Sequence, residues 1–70
     1  MGERLLVAVN GERLKLSPGA TVADVVGALG CGSRGVAVAV NSQLVPRSQW
    51  GSVELAEGDR VEVLHAVVGG

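Results

Sequence analysis

The sequence has few aromatic residues and little cysteine. It contains no Phe and no Tyr, so Trp50 is its only aromatic side chain. A site that stacks nucleic-acid bases on aromatic rings is therefore disfavoured. Cys31 is the only cysteine and has no partner for an intramolecular disulfide. This usage is typical of a reducing compartment, so we expect a cytoplasmic location.

Strong charge of one sign and long apolar runs are also lacking. The formal net charge is −1 and no block of Lys and Arg is present, whereas nucleic-acid-binding proteins need a basic patch. The apolar runs are too short to span a bilayer, and the first residues do not resemble a signal peptide. No His, Cys, Asp and Glu residues have the spacing of metal ligands. We therefore expect no nucleic-acid, membrane or metal binding, and one domain over residues 1–70.

What the chain does contain is a set of short aliphatic segments separated by turn residues. Asn10-Gly11 predicts a tight hairpin, because both positions of such a turn require positive φ. Alternation predicts that the valines of the third strand face the core and its alanines face away, and that Val61 and Val63 of the last strand point inward. The predicted strands cover residues 5–9, 12–16, 36–40, 53–55 and 60–65, with a short edge segment at 43–45 that Pro46 ends.

One main helix is predicted after the hairpin. Thr21 can cap it, with Asp24 three residues later as in a capping box, and Gly30 can end it. Apolar side chains recur between them at helical spacing and form one core-facing stripe, comprising Val22, Val25, Val26 and Leu29. Residues 47–50 are predicted to form one helical or 3₁₀ turn. A hairpin, a helix that packs on one face of the sheet and further strands predict an α+β fold.

The last residues of the given sequence, Val67-Val68-Gly69-Gly70, are the main indication of function. Glycine has no Cβ, so such a tail is thin, flexible and able to enter a narrow channel. The carboxylate of Gly70 would be ionised at neutral pH, because the pKa of an α-carboxyl group is about 3.3–3.7. The tail therefore predicts a reactive group that stands away from the fold.

This layout with a terminal diglycine resembles the β-grasp, or ubiquitin-like, fold, in which a mixed sheet of four to five strands packs on one main helix. Four segments are similar to the pattern of the ThiS family, the sulfur carriers of thiamin synthesis: Val9-Asn10-Gly11, Ala39-Val40-Asn41, Leu44-Val45-Pro46-Arg47 followed by Trp50, and Gly58-Asp59-Arg60-Val61-Glu62-Val63. The resemblance covers essentially the whole chain.

The resemblance implies a carrier protein and not an enzyme. A ThiF-like adenylating enzyme would use ATP to activate the Gly70 carboxylate. Sulfur from a cysteine desulfurase pathway would convert it to a thiocarboxylate, and a ThiG-like thiazole synthase would receive that sulfur. Gly69, Val68 and Val67 would thread into these partners. The chain itself would then contain no catalytic residue and bind no cofactor.

Two other functions share the fold and the tail. The small subunit of molybdopterin synthase usually has a Pro-Pro-Val type sequence before its diglycine, and this chain has Ala66-Val67-Val68 instead. A ubiquitin-like modifier would form an isopeptide bond through Gly70. The absence of the prolines and the Val45-Pro46-Arg47 segment followed by Trp50 favour the thiamin carrier over the molybdopterin subunit.

A partner surface is predicted beside the tail. If Val61 and Val63 face inward, Leu64 faces outward and joins Ala37 and Ala39 in an apolar patch, which is a common feature of binding sites. Trp50 is interpreted first as a packing residue and second as an interface anchor, because interfaces favour Trp.

Overall fold

A computed structural model describes residues 4–30 and 35–65 of the chain. In this part of the chain, five strands form one sheet in the order β2-β1-β5-β3-β4. β1 and β5 are parallel, and the other neighbours are antiparallel. The elements are β1 (Leu5–Val9), β2 (Glu12–Leu16), α1 (Val22–Leu29), β3 (Val36–Val40), β4 (Gln43–Val45), a 3₁₀ turn (Arg47–Gln49) and β5 (Arg60–His65). The predicted α+β class and mixed sheet are confirmed.

The first hairpin forms where Asn10-Gly11 predicts it. These two residues have φ of 51° and 84°, the left-handed conformation that a two-residue hairpin turn requires. Val9 consequently pairs with Glu12, and the register continues to the far end of both strands. Leu14 and Leu16 of β2 pack partly against the core, and Arg13 and Lys15 are exposed.

Helix α1 is capped at both ends as predicted. The Asp24 amide donates to Thr21 Oγ1 at 3.4 Å, and the Thr21 amide donates to Asp24 Oδ2 at 2.9 Å. These two bonds complete a capping box, which satisfies donors that the first turn leaves unpaired. At the other end Gly30 has a φ of 72°, and its amide donates to the Gly27 carbonyl.

The prediction that Leu29 belongs to the buried stripe is wrong. Val22, Val25 and Val26 are buried as predicted, but the Leu29 side chain is 45% exposed. Leu29 is the last residue of the helix and lies at the rim of the core, beside Leu14 and the hairpin turn. Helical periodicity identifies the face on which Leu29 lies, but it does not show where the sheet beneath that face ends.

The prediction of a strand at residues 53–55 is also wrong. In this segment the structure has only an isolated bridge, between Glu54 and Thr21. The backbone of this segment bonds to the residues that begin the helix. The Val22 amide donates to the Val53 carbonyl at 3.1 Å, and the Leu55 amide donates to the Ala20 carbonyl at 2.8 Å. The segment thus links the helix start to the rest of the fold, and Leu55 enters the core at 5% exposure.

The core lies between α1 and one face of the sheet. Its buried members are Val7, Val9, Val22, Val25, Val26, Val38, Val45, Trp50, Leu55, Val61 and Val63. Val61 and Val63 point inward as predicted, and the valines of β3 pack on the core side. The opposite face of the sheet carries the remaining side chains of the strands. Among residues 4–30 and 35–65, no helix has the length and hydropathy needed to cross a membrane.

Candidate functional site

Strand β5 leads toward the tail and lies in the middle of the sheet. It pairs with β3 through a register that runs from Val36 opposite His65 to Val40 opposite Val61. Its pairing with β1 is shorter and covers Ala8 opposite Arg60 and Val9 opposite Val61. The predicted tail residues lie outside the described residues; they are Val67, Val68, Gly69 and Gly70.

Asn10 extends the short pairing between β1 and β5. Its amide donates to the Val61 carbonyl at 2.9 Å. Its side chain then bonds to Val63 in both directions: Oδ1 accepts from the Val63 amide at 2.8 Å, and Nδ2 donates to the Val63 carbonyl at 3.2 Å. The side-chain amide therefore takes the place of a peptide group at the point where β1 turns away into the hairpin.

Asn41 holds the start of β5 from the other side. Its amide donates to the Arg60 carbonyl at 2.7 Å, and its Oδ1 accepts from the Arg60 amide at 3.0 Å. Its Nδ2 donates to Asp59 Oδ1 at 3.0 Å. Both asparagines have a positive φ, which Asn tolerates better than most residues. From the sequence they are turn residues only; the structure shows that they also position the strand before the tail.

Replacing Asn10 with Gly should therefore destabilise the fold even though Gly suits the turn. Gly retains the left-handed conformation but leaves the Val63 amide and carbonyl without their partners, at an expected loss of about 1–3 kcal/mol in the free energy of unfolding. Urea denaturation measures the loss, and hydrogen exchange should show faster exchange at the Val63 amide. Ser42→Gly is the control, because Ser42 also has a positive φ, of 71°. Unchanged stability and Val63 protection in Asn10→Gly would contradict the role of the side chain.

The face of the sheet opposite α1 carries an apolar patch near the end of β5. Leu64 lies directly opposite Ala37, so the structure brings these residues together as predicted. Ala39, two residues along β3, faces the same side and lies opposite Leu44 of β4. Leu64 and Leu44 are 58% and 71% exposed. We call Ala37, Ala39, Leu44 and Leu64 the apolar patch.

Leu44 is the member of this patch that the sequence prediction missed. The signal was available in β4, where Val45 is buried and its neighbour Leu44 must therefore face the other side. The segment has only three residues, which is too short for alternation to be convincing without its partner strand. Once β3 is known to pair with β4, the position of Ala39 fixes that of Leu44.

Trp50 does not lie in the apolar patch. Its side chain is 6% exposed, and its Nε1 donates to the Val45 carbonyl at 3.0 Å. Both the ring and its polar atom are therefore occupied inside the fold. The first interpretation, a packing residue, accounts for these contacts, whereas the second would require a ring that a partner can reach.

The face of the sheet opposite α1, which we call the open face, offers a surface for binding another molecule. Within residues 4–30 and 35–65, no three His, Cys, Asp or Glu side chains are grouped in a way that could hold a metal ion. What the strands present instead is a rigid, exposed combination of small apolar, large apolar and charged side chains beside the strand that leads to the tail. Such a surface can bind and orient another protein while the tail reaches into that protein.

Comparison with known proteins gives the family. The model of the ThiS family matches residues 5–70. The sulfur carrier protein ThiS of Escherichia coli is 30% identical over 64 residues, which are 91% of this chain and 97% of that protein. Two proteins named thiazole synthase are also similar, at 38% identity in Paramagnetospirillum magneticum and 36% in Magnetococcus marinus. This chain spans only 20% of the length of each of these two proteins.

A solved structure agrees with these sequence matches. The thiamine biosynthesis protein ThiS of Geobacter metallireducens superposes with a TM-score of 0.78 at 25% identity. The match covers 94% of this chain and 100% of that one, so the predicted β-grasp fold is confirmed. On the family match and the shared fold, the chain belongs to the ThiS family.

Proposed function

We propose that this protein is a sulfur carrier for thiazole formation in thiamin biosynthesis, with the sulfur bound at the carboxyl group of Gly70. The observation that carries the proposal is that the family match continues through residue 70. It does so on a fold whose central strand, β5, is held on both sides and leads toward that residue. The E. coli relative named as a sulfur carrier is covered almost completely.

The proposed chemistry needs activation by another protein. A carboxylate is a poor electrophile, because neither of its oxygens is a good leaving group. We propose that a ThiF-like enzyme transfers AMP from ATP to the Gly70 carboxylate and releases pyrophosphate. A persulfide supplied by a cysteine desulfurase pathway then attacks the acyl carbon and displaces AMP to give an acyl disulfide. A thiol of the activating system attacks the other sulfur of that S–S bond, which releases the thiocarboxylate and leaves a disulfide on the donor side. This chain contributes the carboxyl group, and its partners contribute the catalytic groups.

The second proposed partner is a thiazole synthase of the ThiG type. In two organisms, a segment similar to this chain forms part of a longer protein named thiazole synthase. A carrier joined to its acceptor in one polypeptide supports direct contact between the two proteins. We propose that the thiocarboxylate passes its sulfur to this enzyme during formation of the thiazole ring.

We propose that the apolar patch is the surface on which these partners dock. It lies on the face that α1 leaves open and includes Leu64, which is three residues before the tail begins at Val67. Its alanines let a partner backbone approach closely, and its two exposed leucines can enter apolar pockets on the partner. A partner docked here would also be the one that the tail, residues 67–70, reaches.

Leu64→Lys should therefore slow sulfur loading at least tenfold while the protein remains folded, because a buried unpaired charge is costly at an interface. Loading is measured as the fraction of thiocarboxylate in intact-mass spectra after timed incubation with the adenylating enzyme, ATP and a sulfur source. Leu29→Lys is the matched control, since Leu29 is also a large exposed side chain but lies on the helix. Equal loading rates for the two variants would argue against docking through the apolar patch.

Intact-mass spectrometry of the protein purified from cells tests the carrier function itself. A species heavier by the difference between sulfur and oxygen, located on Gly70 by fragmentation, is the expected result. Transfer of that sulfur to thiazole synthase distinguishes the thiamin carrier from a molybdopterin synthase subunit. Covalent adducts on lysines of other proteins would instead indicate a modifier. A protein that never acquires sulfur in cells with an active thiamin pathway would contradict the proposal.

A further inference from the structure

A second part of the open face is basic and lies toward the β2 edge. Ala8 of β1 is opposite Arg13 of β2 on one side and opposite Arg60 of β5 on the other. The three residues therefore form one row across three neighbouring strands. Because strands are spaced about 4.8 Å apart, the two arginine backbones are about 10 Å apart with only a methyl group between them.

This part of the face carries a net positive charge, whereas the net charge of the whole chain is negative. The chain has a net charge of −1, yet Arg13, Lys15 and Arg60 are all exposed on the open face, where Glu62 is the nearby acidic strand residue. In the part of the chain that the structure describes, neither Arg13 nor Arg60 forms a salt bridge. Two guanidinium groups are thus available on either side of a small residue.

There is also space for a side chain from another molecule beside Ala8 and Arg60, on the side of the row away from Arg13. A depression of about 370 Å³ lies at the start of β5 and is lined by Ala8, Arg60 and Glu62, with the two turns that contain Asn10 and Asn41 around it. Its walls are held in place by the hydrogen bonds of these two asparagines to β5. The space is therefore part of the rigid sheet.

We propose that Arg13 and Arg60 bind a carboxylate side chain of thiazole synthase over Ala8, next to the depression and not at its Glu62 side. This inference rests on the proposed function, because it specifies the chemistry of a partner that the function requires. Guanidinium groups favour carboxylates, since their planar donors match the two acceptor oxygens. The partner surface is then acidic opposite the arginines and apolar opposite Leu64.

Glu62 gives this docking a direction. It lies on β5 between Arg60 and Leu64, opposite Ala39, and so separates the basic row from most of the apolar patch. An acidic group on the partner is repelled by Glu62 and attracted by the arginine row. Only one orientation on the face satisfies both the acidic and the apolar contacts, and that orientation also fixes where the tail enters the partner.

The test compares the affinity of wild-type carrier and of Arg13→Ala/Arg60→Ala for the thiazole synthase of the same cell. The double variant should bind at least tenfold more weakly, mainly through a slower association rate. The control is Ala23→Glu/Ala28→Glu, which changes the net charge by the same amount on exposed positions of α1. This control should bind within about twofold of wild type, because its charges lie behind the docking face.

Salt dependence provides a second measurement. Raising the ionic strength from about 0.1 M to about 1 M shortens the Debye length from about 10 Å to about 3 Å. Wild-type binding should weaken over this range, and binding by the arginine double variant should weaken much less. Equal affinities and equal salt dependence for the wild type and the double variant would overturn the inference, as would a failure of the wild type to bind.

The fraction of thiocarboxylate on carrier purified from cells separates this inference from the proposed function. Normal sulfur on Gly70 together with unaffected binding by the arginine variant rejects the carboxylate site and leaves the carrier function intact. Absence of sulfur on wild-type Gly70 rejects the carrier function, whatever the binding measurements show. Normal sulfur on wild-type Gly70, together with weaker and less salt-sensitive binding by the arginine double variant, supports both the carrier function and the carboxylate site.

Discussion

A protein that lacks Gly70 should fold normally and carry no sulfur. The described members of the buried core end at Val63, so we expect removal of the last residue to leave their contacts intact. The shortened chain would still present a carboxylate, on Gly69, but one residue short of the position that the activating enzyme must reach. We therefore expect sulfur loading to be lost completely. Intact-mass spectrometry after incubation with the adenylating enzyme, ATP and a sulfur source measures this loss.

Gly70→Ala is the finer test of the same idea, because it restores the length and adds one methyl group. If a narrow channel selects the tail, this variant should also load more slowly than the wild type. Urea denaturation should give the same free energy of unfolding for the wild type, the deletion and the substitution. Loading of the deletion variant at the wild-type rate would refute the proposed role of Gly70.

Local features of this fold could be predicted from the sequence because each depends on a few adjacent residues. The Asn10-Gly11 turn requires two left-handed residues in succession, and few sequences other than Asn-Gly provide them cheaply. The helix cap requires only Thr21 and Asp24 at the correct spacing. Alternation assigned Val61 and Val63 to the core because the face of a strand residue is fixed by its parity.

The wrong predictions concern features that depend on residues far away in the sequence. Leu29 has the correct spacing for the stripe, but its exposure depends on how far the sheet extends beneath the helix. Residues 53–55 have the composition of a strand, but their backbone bonds to Ala20 and Val22 and not to a neighbouring strand. Composition is a weak guide to strand formation, because pairing partners decide it.

The candidate site combines both kinds of feature. Parity alone places Ala37, Ala39 and Leu64 away from the core, and that was predicted. The row of Arg13, Ala8 and Arg60 could not be predicted, because it depends on β1 pairing in parallel with a strand about 50 residues later. The bonds from Asn10 to Val63 have the same cause, since they exist only where β1 ends beside β5.

The largest effect on stability is expected from Trp50→Ala. The ring is 6% exposed among core valines, and its Nε1 bonds to the Val45 carbonyl. Replacing a buried aromatic residue with Ala costs about 3–5 kcal/mol. A 70-residue domain has a total stability of about 4–10 kcal/mol, taking 0.05–0.15 kcal/mol per residue. The variant should therefore lose a large part of its stability, and a substantial unfolded population is expected near 37 °C.

Trp50→Phe separates the contribution of the ring from that of its hydrogen bond. Phe retains most of the buried apolar volume but leaves the Val45 carbonyl without its donor, at an expected cost of about 1–3 kcal/mol. Far-UV circular dichroism is the measurement of choice for the urea titrations, because the substitutions remove the only tryptophan of the chain. Folded Trp50→Phe should bind thiazole synthase as tightly as wild type, since position 50 lies in the core. A folded variant with normal stability but weakened binding would show that Trp50 is an interface anchor after all.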